Sequence, residues 1–164
     1  MPFNITTFTL IHVIVSLVGI VAGLVVAGGL MAGKRLDGWT GLFLLTTVLT
    51  NITSFGFPFT KFGASHYVAI ISLVILPVVI AARYWKHLEG RWRAVYVVGS
   101  VLVLYLNVFV LVVQLFRRLP ALLVSAPHQN EPPFVVTHLL VVALFVWLGW
   151  AANRGFRPAP SAPR

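Results

Sequence analysis

The stretch LYLNVFVLVVQLFRR, residues 104–118, decides the fold class of this chain. Its residues are apolar or aromatic except for Asn107 and Gln114, and it ends at two arginines. Extended back to residue 93, the run is long enough to cross the hydrocarbon of a bilayer as a helix, which takes about 20 residues. Two amides seven residues apart lie on one face of such a helix. The stretch therefore predicts a transmembrane helix with one polar face.

Composition extends this prediction to the whole chain. The 164 residues are 59% hydrophobic and only 9% charged, whereas a soluble domain usually has about 25% charged residues. The net charge of +9 comes from Lys and Arg in short clusters between apolar runs. Such clusters orient a membrane protein, so we expect a lipid bilayer as the partner and no nucleic acid. Disulfides and thiolate metal sites are excluded because the chain has no cysteine.

The apolar runs predict an all-α, polytopic transmembrane bundle of five spans. Residues 1–157 form one membrane domain, and the proline-rich residues 158–164 form a short disordered tail. The first span has no basic segment before it and is longer than a signal-peptide core, so we expect it to remain uncleaved. The predicted spans cover residues 8–31, 39–58, 66–85, 93–116 and 134–152.

The basic residues between the spans predict the orientation. An outside N-terminus and an inside C-terminus leave only Lys61, Arg117 and Arg118 outside, and all other Lys and Arg residues inside. This distribution agrees with the positive-inside rule. All five tryptophans then fall at the inner ends of spans, where their rings anchor at the head-group level.

With this orientation, the polar side chains of all five spans fall in the outer leaflet. We predict that they line a ligand-binding polar pocket there. The candidate pocket residues are His12, Asn51, His66, Asn107, Gln114 and His138.

The first span also carries a close-packing motif. Gly19 and Gly23 form a G-x-x-x-G on the face that bears His12, and such pairs let helices approach closely. The face is expected to pack either within the bundle or against a second copy of the chain.

A second interpretation of the polar residues is structural. Asn, Gln, Ser and Thr often connect membrane helices by hydrogen bonds of about 0.6 kcal/mol each on average. Head-group solvation is an equal alternative for His66 and His138, which begin spans 3 and 5. His12 lies deeper, and an ionisable group there indicates a functional site by default.

The motifs of common enzymes are absent. The three acids, Asp37, Glu89 and Glu131, lie in loops or at the ends of spans, which disfavours a carboxylate proton relay. No zinc-protease motif, nucleophile elbow or phosphate loop occurs. The sequence therefore favours a protein that is not an enzyme.

Histidine chemistry leaves an alternative open. Any two of His12, His66 and His138 could ligate a b-type haem near the outer side, and a quinone pocket is equally compatible with them. A metal site built from all three is less favoured because they lack a spacing signature. A small channel or carrier is a further alternative.

Three stretches together resemble a family of small, uncharacterised multi-pass membrane proteins of bacteria. They are RLDGWTGLFLLTTVLTNITSFGFPF (35–59), HYVAIISLVILPVVIAARYWKHLEGRWRAVYVV (66–98) and LYLNVFVLVVQLFRRLPALLVSAPHQNEPPF (104–134). The resemblance is carried above all by YLNVFVLVVQ followed by PAL and EPPF, and it implies a bacterial inner membrane but no activity. His138 stands where that family's pattern has glutamine, which weakens it as a ligand.

These observations favour an accessory or binding subunit with an outer-leaflet pocket. Its partners would be other membrane subunits or a second copy of the chain. The resemblance also draws attention to residues 117–133, which could either cap the outer mouth of the bundle or connect two spans along the interface.

Overall fold

The computed structural model describes residues 5–58 and 62–157, and these residues form helices without any strand. The predicted tail at 158–164 lies outside the described residues. The helices are α1 (Ile5–Met31), α2 (Asp37–Ser54), α3 (Ala64–Ile80), α4 (Arg91–Arg118), α5 (Pro120–Ser125) and α6 (Pro132–Gly155). A π-helical turn, Ala81–Trp85, continues α3.

Four of the described helical segments are long and apolar enough to cross a membrane. They are Thr7–Met31, Ala64–Trp85, Arg91–Arg118 and Pro132–Gly155. The all-helical class is therefore confirmed, together with four membrane-capable helices. The remaining predicted span corresponds to α2, which has 18 residues. It is shorter than each of the four segments above. Its threonines and its terminal Asp37 lower its apolar character.

The long helices run up and down, so that each end of the bundle has its own set of residues. At one end, here called the His66 end, α1, α3 and α6 begin and α2 and α4 finish. At the opposite end, the Arg83 end, the directions are reversed. Helix α1 packs against α2, α4 and α6, and α3 packs against α2 and α4. Helices α1 to α4 therefore form a closed ring of neighbours, and α6 lies outside it against α1 and α4.

The small-residue face of α1 lies inside this ring. A Cβ atom on Gly23 would stand 2.8 Å from Cε2 of Phe43 and 2.5 Å from Cδ1 of Leu104. A Cβ atom on Gly19 would stand 2.9 Å from Oγ1 of Thr46. At these distances a Cβ atom would force the neighbouring side chains to shift, so both glycines favour the present close approach of α2 and α4. The G-x-x-x-G face is occupied within the bundle.

Helix α2 has one apolar exposed face and one buried face. Leu42, Leu45, Leu49 and Ile52 are exposed, and their spacing of three and four residues places them on one side of the helix. The buried side carries Phe43 and Leu44 together with most of the polar residues of α2. Such a helix keeps most of its polar side chains among its neighbours and presents a stripe of aliphatic side chains outside.

The segment 119–131 packs beside the bundle at the His66 end. Ala126 is buried against Val112 and Phe116 of α4, and the side-chain amide of Gln129 donates to the carbonyl of Val113 at 3.1 Å. The rings of Phe116 and Phe134 meet edge to face at 5.3 Å. Segment 119–131 is thus fastened between α4 and α6 and does not line the cleft described below.

Candidate functional site

A cleft of about 1020 Å³ opens between α1, α2, α4 and the start of α3, in the half of the bundle toward the His66 end. Its lining is mixed, with aliphatic and aromatic walls and many hydroxyl, amide and imidazole groups. The structure brings five of the six predicted pocket residues to this cleft: His12, Asn51, His66, Asn107 and Gln114. These residues come from four different helices, so the fold and not local sequence assembles them.

The deepest polar groups are held by Thr47. The side-chain amide of Asn107 donates to Oγ1 of Thr47 at 3.3 Å, and that of Asn51 donates to the Thr47 carbonyl at 2.8 Å. Both amides are buried. Thr47 therefore connects α2 to α4 and fixes the orientation of two lining side chains.

Thr50, one helical turn further along α2, has an unused hydroxyl. Its side chain is 9% exposed and lines the cleft. Within the described part of the chain its Oγ1 has no hydrogen-bond partner. A buried hydroxyl without a partner carries a desolvation cost of about 1–3 kcal/mol, and a ligand oxygen in the cleft would relieve it.

His12 is oriented by α2. Its Nδ1 lies 2.8 Å from Oγ1 of Thr53. The Thr53 hydroxyl has one hydrogen, which it donates to the carbonyl of Leu49 at 2.7 Å, so Oγ1 accepts and Nδ1 of His12 donates. The ring of Phe57 stands edge to face against the imidazole at 5.0 Å. In neutral His12 this arrangement leaves Nε2 as the nitrogen with a lone pair.

His66 lies in the first turn of α3. Its Nδ1 accepts from the backbone N–H of Gly63 at 3.3 Å, which caps the start of the helix. Phe55 and Phe62 pack around its ring, with centroids at 5.9 and 5.6 Å. Its position at the rim of the cleft follows from this cap.

The mouth of the cleft is basic. Arg117 and Arg118, the last residues of α4, line it and are exposed. Gln114 stands one turn below them, and its half-buried amide lines the cleft. The described lining includes no Asp or Glu. The mouth therefore presents positive charge and an amide without a neutralising carboxylate.

His138 lies apart from the other predicted residues. It does not line the cleft, and its ring packs between Phe109 and Phe134, with centroids at 4.8 and 4.2 Å. Its Nδ1 donates to the Phe134 carbonyl at 3.1 Å, one turn earlier in α6. Because α6 is outside the ring of α1 to α4, a histidine at this position of α6 reaches α4 and not the cleft.

The described residues contain no cluster of three or more His, Cys, Asp or Glu side chains that could hold a metal ion. A haem needs only two axial ligands, and His12 and His66 are the two histidines that share the cleft.

A second group of polar side chains, at the Arg83 end, is not predicted from the sequence. Arg83 is 1% exposed. Its guanidinium donates to Asp37 and to the Tyr96 hydroxyl, the latter at 3.0 Å, and that hydroxyl lies 3.3 Å from Oγ1 of Thr40. In the sequence, Arg83 lies within the predicted span 66–85 and counts only among the inside basic residues that predict the orientation. The signal available was its place directly after the apolar run IAA, because an ionisable residue within a span is a functional or structural site by default.

Comparison with models of protein families, with curated proteins and with solved structures finds no match for this chain. What the cleft does is therefore inferred from its own geometry and chemistry.

Proposed function

We propose that this chain is a binding subunit of the bacterial inner membrane, with five spans, the N-terminus outside and the C-terminus inside. It holds a small ligand in the cleft at the His66 end, which this orientation places in the outer leaflet. It acts by binding and not by catalysis.

The assignment of α2 as the fifth span is supported by its two faces. Its exposed side is a stripe of leucine and isoleucine, and its buried side holds hydrogen-bonded polar groups. In lipid, polar groups are costly unless they are kept within the protein, and α2 buries most of its polar side chains against its neighbours. The low hydropathy of the helix comes in large part from its buried threonines and Asn51, and from Asp37 in its first turn.

The observation that carries the binding function is the convergence of polar side chains on one large cleft. Packing by hydrogen bonds would pair these groups with one another. Here Thr50 Oγ1 is buried without a partner among the described residues, the half-buried Gln114 lines the same cleft, and the volume of about 1020 Å³ is that of a ligand pocket. The described lining lacks the acids that a proton-transfer mechanism would use.

The test is to identify what copurifies with the protein. Wild-type protein and the double variant Asn107→Leu/Gln114→Leu are extracted in lipid particles, and their bound small molecules are measured by mass spectrometry. We expect the double variant to lose at least about 90% of one bound species, because a ligand hydrogen bond of about 1.5 kcal/mol corresponds to roughly tenfold in affinity. His138→Leu, which removes a polar group outside the cleft, should retain it. Identical bound molecules in all three folded proteins would contradict the binding function.

A second candidate, a haem or quinone protein of electron transfer, is supported by the geometry of His12. Its Nδ1 is fixed by Thr53, and a histidine ligand characteristically donates its second nitrogen in this way. A visible spectrum of the purified protein, oxidised and reduced, decides whether it binds haem b. A Soret band that shifts on reduction and is lost in His12→Ala would assign a haem b. A featureless spectrum from folded protein made with sufficient haem would exclude haem b.

A further inference from the structure

We propose that the ligand of this cleft is a polyol phosphate, that is, a phosphate group bearing a hydroxyl-rich body. This inference rests on the proposed binding function and specifies its ligand class. The phosphate binds at the arginine mouth, and the hydroxyls bind the amides and hydroxyls below it.

The charge of the mouth selects the anion. Arg117 and Arg118 supply two guanidinium groups, and the planar guanidinium matches the oxygens of a phosphate in a bidentate manner. No described Asp or Glu lines the cleft to neutralise them or to bind an ammonium group. An amine-bearing head group therefore has no counter-charge here, whereas a phosphate with a neutral body does not need one.

The groups below the mouth select hydroxyls. The Thr50 hydroxyl is more than nine-tenths buried and has no partner among the described residues, and the amide of Gln114 lines the cleft between Thr50 and the mouth. An amide and a hydroxyl both donate and accept, as a ligand hydroxyl does. These groups complement a polyol better than a second charge, which would be desolvated without an opposite charge nearby.

The dimensions leave room for a body larger than phosphate alone. Arg117 follows Asn107 by ten residues on α4, so the cleft extends about 15 Å along the helix at 1.5 Å per residue. A free inorganic phosphate at the mouth would leave Thr50 without a partner. A sugar-sized polyol attached to the phosphate reaches toward it.

The chemistry has two natural sources, a soluble polyol phosphate and the head group of a lipid. The experiment uses the full chain in lipid nanodiscs. Inositol phosphate is titrated calorimetrically, with inositol as the uncharged control. Separately, nanodiscs with phosphatidylinositol are compared with nanodiscs with phosphatidylethanolamine for the unfolding temperature of the protein.

We expect binding of inositol phosphate, or a raised unfolding temperature with phosphatidylinositol, and no effect of inositol or phosphatidylethanolamine. The responding arm identifies the source. In Arg117→Gln/Arg118→Gln the affinity should fall at least about tenfold, since hydrogen bonds to charged groups contribute about 1.5–3 kcal/mol. The matched control Arg91→Gln/Arg157→Gln removes two exposed charges at the opposite end and should bind as wild type does. Gln114→Leu should weaken binding without changing the net charge.

Absence of a response in both arms would overturn the polyol-phosphate assignment, as would equal binding by the two double-arginine variants. If mass spectrometry still finds another molecule that depends on Asn107 and Gln114, the binding function survives and only its ligand class is wrong. If that dependence is also missing, both proposals fall.

Discussion

Arg83 is the residue whose burial most constrains its neighbours. A guanidinium with 1% exposure keeps its charge only with partners, and it has Asp37, the Tyr96 hydroxyl and the ring of Tyr96, 5.2 Å from the guanidinium carbon. Asp37 itself is 70% exposed and also bonds Arg35. Solvent therefore screens the Asp37 carboxylate and weakens this ion pair. Because Arg83 is buried, solvent does not take the place of Asp37 as the partner of its guanidinium.

Replacing Asp37 tests this dependence. Asp37→Asn should lower the free energy of unfolding by about 1–3 kcal/mol, because the buried guanidinium of Arg83 loses the one anionic partner that the described residues give it. The measurement is chemical or thermal unfolding in mild detergent. Glu89→Gln is the matched control, since it removes an exposed carboxylate at the same end of the bundle. Equal stabilities of the two variants would mean that Tyr96 and water suffice for Arg83.

Single residues differ in how far the sequence predicts their surroundings. Asn107 and Gln114 could be placed on one inward face of α4 because a helix fixes their relative azimuth. Arg83 could not, because a π-helical turn changes the azimuth of Ala81–Trp85 relative to α3. His138 was grouped with the cleft by depth alone, and depth does not tell which neighbour a helix meets.

At the scale of elements, the ends of α1 and α6 meet backbone to backbone. A Cβ atom on Gly155 would overlap the carbonyl of Met31, and Gly33, with a φ of +70°, turns the chain away just after this contact. Arg93 of α4 donates to the carbonyls of Asn153 and Phe156, which caps the end of α6.

Gly155→Ala should therefore destabilise the bundle by about 1–3 kcal/mol, as overpacking does, because backbone atoms cannot move aside as a side chain can. The free energy of unfolding in detergent measures this. Gly28→Ala in α1 is the control, since a Cβ atom there has no neighbour within 4 Å. It should be neutral or slightly stabilising. A neutral Gly155→Ala would show that α1 and α6 separate at this end.

The carboxyl group of Glu131, in the turn before α6, has a pKa below its ordinary value. Partial burial raises the pKa of Glu131, but hydrogen bonds from the His128 side chain and from the backbone N–H groups of His128 and Asn130 lower it more, to about 2. Since this pKa lies below the ordinary value of 4.5, the turn gains stability above pH 4.5 and loses it as the pH falls through about 2.

An NMR titration of isotope-labelled Glu131 should therefore give a midpoint near 2. His128→Ala should raise that midpoint toward the ordinary value, because the side-chain donor is lost. A wild-type midpoint near 4.5 would show that the turn is open in solution.

The positions of the elements were largely predictable. The long helices begin and end within a few residues of the predicted runs once the π-helical turn is counted with α3, except that α2 ends at Ser54 where residue 58 was expected. Apolar run length sets these limits, and Gly56 and Pro58 end α2 earlier. The packing of α5 and the rest of segment 119–131 was not predictable, since a cap and a connector require the same apolar composition.

At the scale of the whole molecule, the number of spans and the topology depend on whether α2 crosses the membrane. The chain has no cysteine, so single cysteines can be introduced without background. In the proposed topology, a membrane-impermeant maleimide applied to intact cells should label Ala64→Cys and leave Lys34→Cys unlabelled until the membrane is opened. These two positions flank α2. Labelling of both from the same side would mean that α2 does not cross and that the chain has four spans.

The fastening of segment 119–131 between α4 and α6 bears on how quickly a ligand exchanges. Because Gln129 and Ala126 hold this segment away from the lining of the cleft, it does not have to move for a molecule to enter or leave. Association should then follow diffusion and electrostatic attraction by Arg117 and Arg118, with a rate constant that falls as salt is added. Crosslinking the segment to α4 should leave that rate constant unchanged.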